Sequence, residues 1–473
     1  MFINGEWITG RPQFQVTNPA TGEVIGEVPD CSDQDIEAAI SAAHNSFREW
    51  RATTAYHRSQ LLYRAWELMI RRKRELAELM TREQGKPLKA SLNEVQYGAD
   101  FLLWFAEEGK RMYGQSIPSS RENQRFLVQK SPVGVVGAIT PWNYPISMIT
   151  RKLAPALAAG CTVVLKPAES TPLCAQAMLE IFEEAGFPPG VINALTVQNP
   201  ARVGQVFCTD PRVRKLTFTG STPVGRELNG LAAANMKRVS MELGGHAPAI
   251  VFPDADPVHA AKGLSLVKYL NTGQACISPN RIFVHEDHLE PFIAELTSRT
   301  RRLVAGNGMN EGTGIGPLIN ELALQKVDSQ VKNAVARGAR IETGGQRLTD
   351  GELGAGFFYA PTVLSGVTPA MDIYREETFG PVAPVITYRS EDDVIAMAND
   401  TDYGLAAYIY SNNLSTAMRA FEALDFGIIG INDINPTSAA APFGGMKNSG
   451  LGREGAQEGI DEYLETKLGG FAI

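Results

Sequence analysis

Cysteine is scarce in this chain: five residues among 473, at Cys31, Cys161, Cys174, Cys208 and Cys276. The number is odd and no two form a C-x-x-C pair, which excludes a disulfide-stapled scaffold and suits free thiols in a reducing compartment. Long hydrophobic runs are also missing. The longest, such as VGVVGAI at 133–139, fall far short of the roughly 18 residues a membrane span needs, so no bilayer-crossing helix is expected. The N-terminal MFINGEWITG lacks both a basic n-region and an apolar h-region. No secretory leader is therefore expected, and a cytoplasmic location follows. Nor is there a long run of one charge. Forty-four basic against 52 acidic residues give a net charge of −8, which speaks against a nucleic-acid partner.

What is present is ordinary globular composition, 44% apolar and 20% charged, in a chain long enough for two or three domains. Residues 32–113 read as helices. Ser32 can cap the first, with Ile36, Ile40, Ala43 and Phe47 following at spacings of three and four. A second helical pattern runs from about Arg58 to Glu83 and stops at Gly85, and a third ends near Tyr113. From Val133 the pattern alternates: strand VGVVGAIT, helix ISMITRKLAPALAAG, strand CTVVLKP, helix LCAQAMLEIFEEAG, strands VINALTV and RKLTFTG, then helix PVGRELNGLAAA. Such alternation predicts a parallel, Rossmann-like sheet covered by helices. A second α/β series extends from Ala247 to about Pro442.

Several segments carry chemistry on paper, each with a plainer structural reading beside it. FTGSTPVG (218–225) follows a strand and opens a helix, where backbone N–H groups face an anion such as a pyrophosphate; an ordinary strand-to-helix turn would look the same. KPAES (166–170) puts Lys166 at a strand end with Glu169 three residues on, a carboxylate able to accept from ribose hydroxyls. MELGGHAP (241–248) sets Glu242 before two glycines at a strand end, a place for a general base or for a solvated turn. GLGREG (450–455) matches G-x-G-x-x-G literally but follows no βαβ strand, so it is read as a structural loop. His285 and His288 in VHEDHLE are three apart, not the four that a zinc-binding H-E-x-x-H helix needs, and no metal site is expected. Cys276, in NTGQACISPN, is locally ambiguous. Free cysteine is usually buried and inert, yet polar and flexible neighbours surround this one.

Together these segments resemble the aldehyde dehydrogenase family over nearly the whole chain, through NPATGEVIGEVP (18–29), TPWNYP (140–145), KPAE, FTGSTPVG, MELGG, GQAC, EETFGP (376–381) and PFGGMKNSGLGRE (442–454). The resemblance implies an α/β fold in three parts. A Rossmann-like cofactor domain would span 1–114 and 134–244, an α/β catalytic domain 245–446, and a small β oligomerisation element 115–133 and 447–473, giving a homodimer or homotetramer. It also implies roles. Cys276 would attack the aldehyde as thiolate, the side-chain amide of Asn143 with the Cys276 backbone N–H would hold the oxyanion, and Glu242 would activate the water that hydrolyses the thioester. Cofactor contacts carry over to Thr140, Pro141, Trp142, Lys166, Glu169, Gly220, Ser221, Gly225, Leu243, Glu377 and Phe379. Glu169 at the adenosine-ribose position points to NAD, with NADP also admitted.

Within the family, ITPWNYPISMITRKLAPALAAGCTVVLKPAE, MELGGHAP and CISPNR are most similar to the succinate-semialdehyde and α-ketoglutaric-semialdehyde enzymes. Arg151 matches an arginine that binds the substrate carboxylate in the former. Two positions depart from that pattern. Leu270, the sixth residue ahead of Cys276, stands where a second carboxylate-binding arginine is usual, and Ser278 replaces a second cysteine found in some members. Ser438 is expected to contact a polar substrate tail. The alternatives are α-ketoglutaric semialdehyde or a neutral aliphatic or aromatic aldehyde as substrate, or a non-catalytic family member that only binds. A hydrolytic thiol enzyme would not need the nicotinamide motifs.

Overall fold

The computed structural model describes residues 1–473. Its first sheet has eight strands, and the inner five run parallel in the spatial order Ile192–Ala194, Thr162–Lys166, Val135–Ile139, Val213–Thr219 and Arg238–Glu242. Val135–Ile139 and Thr162–Lys166 are buried at every residue, as strands covered by helices on both faces must be. Short antiparallel strands close the two edges, Phe2–Ile3 against Ile192–Ala194 and Gly450–Leu451 against Arg238–Glu242. The strand order reverses direction between Val135–Ile139 and Val213–Thr219, and beyond the carboxyl ends of such strands a crevice opens for ligands.

Helices pack on this sheet largely where the apolar spacing puts them. Asp33–Ala52 begins with a capping box between Ser32 and Asp35, and its Ile36, Ile40 and Ala43 are buried. The pattern read as one helix from Arg58 to Glu83 is two, Ala55–Arg71 and Lys73–Gln84, broken at Arg72. Gly85 ends the second with φ +96°, a conformation glycine adopts without steric cost. One helix was missing from the sequence reading. Pro200–Thr209 lies between VINALTV and RKLTFTG and buries Val203 and Phe207. Its presence follows from topology, because parallel strands need a crossover of about a dozen residues or more. Asn199–Pro200 followed by apolar residues four apart was its signal.

The second sheet orders seven strands as Arg340–Thr343, Thr362–Ser365, Val382–Tyr388, Pro279–His285, Ala247–Val251, Ala406–Tyr410 and Ile428–Ile431, all parallel except the first pair. The chain crosses from one sheet to the other through Leu243–His246, directly after Glu242. A separate three-stranded sheet joins Gln115–Ile117, Gln124–Pro132 and Leu464–Ala472, the last two paired from Leu464↔Pro132 to Ala472↔Gln124. Residues 447–461 do not enter it; they fold back over the first sheet. No helix is long and apolar enough to cross a membrane.

Candidate active site

Cys276 is the one cysteine of the five that is not buried. It borders a cavity of about 440 Å3 that is also lined by Arg151, Leu270, Tyr97, Tyr144 and Phe443. The turn that delivers it is strained. Asn271, Thr272 and Gly273 all have positive φ (+50°, +60° and +73°), and left-handed backbone costs a β-branched residue of order 1–3 kcal/mol. The surroundings hold it there. Thr272 Oγ1 donates to Gly316 O (3.1 Å), and Gln274 Nε2 donates to Pro317 O (3.3 Å) while its Oε1 accepts from Ile319 N (3.0 Å). A Cβ on Gly273 would stand 2.1 Å from Gly380 O, so the third left-handed position has room for no side chain.

Glu242 ends its strand fully buried, and neither carboxylate oxygen has a hydrogen-bond partner. Burial, reinforced by the nearby Glu454, raises it well above the usual carboxylate range, while Arg151 and Lys152 pull the other way. Glu454 goes in the opposite direction: burial works against its charge, but Lys152 and Arg151 outweigh it and hold it low. Two acids side by side are thus separated into one ready to carry a proton and one that stays ionised. Burial pushes the Cys276 thiol up to about 12, with Arg151 the largest influence lowering it.

Asn143 lies in the loop between Val135–Ile139 and the helix Ser147–Ala159. Its Nδ2 donates to Gln274 O at 3.0 Å, two residues ahead of Cys276. Its carbonyl accepts from Lys86 Nζ (2.7 Å) and Asn271 Nδ2 (2.9 Å). Across the crossover, Gly245 N donates to Glu377 at 2.9 Å, and burial raises that carboxyl to about 7. A Cβ on Gly245 would stand 2.3 Å from Cys276 O, which lets the crossover and the cysteine turn touch backbone to backbone.

The residues expected to meet a dinucleotide surround the first sheet's crevice. Lys166 ends its strand with Nζ 2.9 Å from Glu169. The helix Thr222–Ala233 opens after Gly220 and Ser221, and the Ser221 side chain satisfies none of its first-turn amides. Ser221, Thr222, Lys326, Glu377 and Tyr403 border a polar cleft of about 810 Å3. Trp142 meets the edge of Phe379 at 5.6 Å, and Phe379 holds φ +54°. Free amides at a helix N-terminus, a cation and an exposed carboxylate at a strand end, and the half-buried carboxylate of Glu377 form a set that fits a nicotinamide dinucleotide.

Two expectations about the substrate end change. Ser438 is exposed and does not border the cavity; its neighbours Asn435 and Thr437 do. Arg151 does line the cavity, but it is not free: its guanidinium sits 3.9 Å from the Phe443 ring centre, and Nη2 is 2.8 Å from Glu454 without hydrogen-bond alignment. The loop reading of GLGREG thus undervalued Glu454. Tyr97 was missed entirely. Its hydroxyl is buried at the cavity with no partner, a role invisible from a tyrosine inside a helical pattern. The two histidines of VHEDHLE each meet a backbone carbonyl, of Arg389 and of Pro253.

A half-buried cysteine at a cavity and an unpartnered buried carboxylate, beside a crevice that fits a dinucleotide, are the set a cofactor-dependent thiol enzyme needs. The model of the aldehyde dehydrogenase family matches residues 7–468. A mitochondrial succinate-semialdehyde dehydrogenase of Arabidopsis thaliana is 48% identical over 98% of this chain and 88% of its own. The NADP(+) succinate-semialdehyde dehydrogenase GabD of Escherichia coli K12 is 47% identical over 98% and 96%. The crystal structure of succinate-semialdehyde dehydrogenase from Burkholderia pseudomallei superposes with a TM-score of 0.97 at 47% identity, covering 100% of this chain and 97% of that one. The chain belongs to the aldehyde dehydrogenase family, and it is an NAD(P)-dependent oxidoreductase of aldehydes.

Proposed function

We propose that the enzyme oxidises a semialdehyde with an anionic tail, succinate semialdehyde being the reference case, to the carboxylic acid through an acyl thioester on Cys276. The observation that carries this is the shared cavity: Cys276 and the Arg151 guanidinium border one space, and although Arg151 pairs with Glu454, its Nε and Nη2 have no hydrogen-bond partner and could receive a carboxylate at the far end of an aldehyde held at the thiol. Transfer of the thiol proton to water makes Cys276 the nucleophile, and Arg151 is the largest influence in favour of that loss. Attack on the carbonyl carbon places negative charge on its oxygen, which the Cys276 N–H and Asn143 Nδ2, on leaving Gln274 O, would stabilise. The bound nicotinamide supplies the hydride acceptor for the oxidation. Glu242 then takes a proton from water, which attacks the thioester carbon and frees the acid and the thiol. A carboxyl raised by burial suits that task, since it is a stronger base than an ordinary one.

For the cofactor we propose NAD over NADP. Glu169 pairs with Lys166 at 2.9 Å, so a 2′-phosphate drawn to Lys166 would meet the Glu169 carboxylate. Equal kcat/KM for both cofactors would sink this, and Glu169→Ser should shift the ratio toward NADP. The same reading makes residues 115–133 and the terminal strand Leu464–Ala472 the subunit-joining element, where Ile117, Leu127, Leu468 and Phe471 are exposed.

A neutral aldehyde is the second reading, and Leu270 favours it: the residue lines the cavity and is 43% exposed. Values of kcat/KM with NAD for succinate semialdehyde, α-ketoglutaric semialdehyde, a medium-chain aldehyde and benzaldehyde decide between the two. The first reading requires a carboxylated substrate to lead.

A further inference from the structure

Lys86 follows the left-handed Gly85 and is 1% exposed, and Glu94, one helical segment on, is 3% exposed. They form an ion pair, and the other side-chain hydrogen bonds of both partners go to one loop. Lys86 Nζ also donates to Asn143 O at 2.7 Å and sits 4.1 Å from the Tyr144 ring centre. On the other side, Glu94 Oε1 accepts from Ile146 N (3.0 Å) and Ser147 N (3.2 Å). Those amides open the helix Ser147–Ala159, which has no side-chain cap of its own. The pair therefore grips the segment 143–147 at both ends: the ammonium at its first carbonyl, the carboxylate at its last amides.

A buried ion pair is weak evidence of stability, since apolar residues of similar size often serve as well. What it supplies here that apolar residues cannot is direction. The Asn143 carbonyl is held from one side by Lys86, from the first sheet's helical layer, and from the other by Asn271, from the turn before Cys276. The peptide that carries the Asn143 side chain is thereby tied to the same turn as the nucleophile. Lys86 itself is anchored between the two sheets, because its own carbonyl lies 2.5 Å from where a Cβ on Gly308 would be and Leu88 N donates to Gly308 O at 3.0 Å.

We propose that Lys86, charged and oriented by Glu94, is a positioning residue that sets where the Asn143 amide stands relative to Cys276. The proposal rests on Asn143 acting as oxyanion donor. Lys86 and Glu94 border the same cavity as Cys276, but the hydrogen bonds of the pair go to the 143–147 segment, so Lys86 acts through the Asn143 peptide.

A double-mutant cycle with NAD and succinate semialdehyde tests it. Asn143→Ala should lower kcat by about a hundredfold, the usual effect of removing one oxyanion donor. Lys86→Met should lower kcat by a comparable factor with the KM for NAD unchanged, and Lys86→Arg should restore part of it. Lys86→Met with Asn143→Ala together should be no worse than Asn143→Ala alone. Alkylation of Cys276 by iodoacetamide, which generates no oxyanion, should keep its rate in Lys86→Met, and Lys86→Met with Glu94→Gln repeats the comparison without an unpaired buried carboxylate. Losses that multiply in the double variant, or an alkylation rate that falls in step with kcat, would overturn the positioning role. Unchanged kcat in Asn143→Ala would overturn the donor reading together with it. A normal Asn143→Ala loss beside full activity of Lys86→Met would overturn the positioning claim alone.

Discussion

Keeping Glu242 buried with both oxygens unpartnered costs free energy that packing alone would never require, and its raised proton affinity gives that cost a purpose. Water activation needs the ionised form. The turnover limb controlled by this group should therefore rise with pH and have its midpoint above the ordinary glutamate value of about 4.3. Glu242→Gln should remove the limb and lower steady-state turnover by about a hundredfold or more, as loss of a general base does, while a first burst of NADH remains. Stopped-flow absorbance at the NADH band measures both. Leu270→Arg belongs to the same scale: a guanidinium at the cavity mouth should raise kcat/KM for succinate semialdehyde relative to a neutral aldehyde by about ten- to a hundredfold, the worth of one charge-assisted hydrogen bond. An unchanged ratio would remove Leu270 from the substrate argument. Cys276, Glu242 and Asn143 are singled out in the sequence only because their motifs occur together; taken singly, Cys276 reads as packing. Tyr97, Lys86 and Glu454 were not legible, since their neighbours are distant in sequence: Lys86 meets Asn143 across 57 positions and Lys152 meets Glu454 across 302.

The element that decides whether the thiol faces the cavity is the left-handed turn Asn271–Gly273. Three consecutive residues with positive φ persist only where outside contacts over-determine them, and Thr272 and Gln274 supply those contacts from Gly316 to Ile319. Gly273→Ala should be destabilising by more than about 1 kcal/mol, because alanine resists this conformation and its Cβ would collide with Gly380 O. A lower urea midpoint together with slower alkylation of Cys276 is the expected pair of results; a stable variant with unaltered reactivity would show that the turn does not govern the nucleophile. Elements themselves were largely readable, because apolar spacing and caps such as Ser32 are local signals. The break at Arg72 and the helix Pro200–Thr209 were not. The first leaves the apolar period intact, and the second has a short apolar face that only the return of Val213–Thr219 to the far side of Val135–Ile139 makes necessary.

For the whole molecule, the site is a property of the two sheets together. The first presents Glu242 and Asn143 at the ends of its parallel strands, the second presents Cys276 ahead of Pro279–His285, and the Leu243–His246 crossover with the Lys86 anchor keeps the two in register. Alternation of strands and helices made both sheets foreseeable, whereas the return of residues 447–461 to the first sheet, which brings Glu454 to Arg151, depends on long-range packing that no local pattern records. The central claim is that aldehyde carbon becomes an acyl group on Cys276 and leaves it by the action of Glu242. Its most direct test is mass spectrometry of Glu242→Gln mixed with NAD and succinate semialdehyde and quenched in acid. One succinyl group on the peptide containing Cys276, with one NADH formed per active site, is the expected result. An unmodified Cys276 alongside formed NADH, or an acyl group on another residue, would contradict the account.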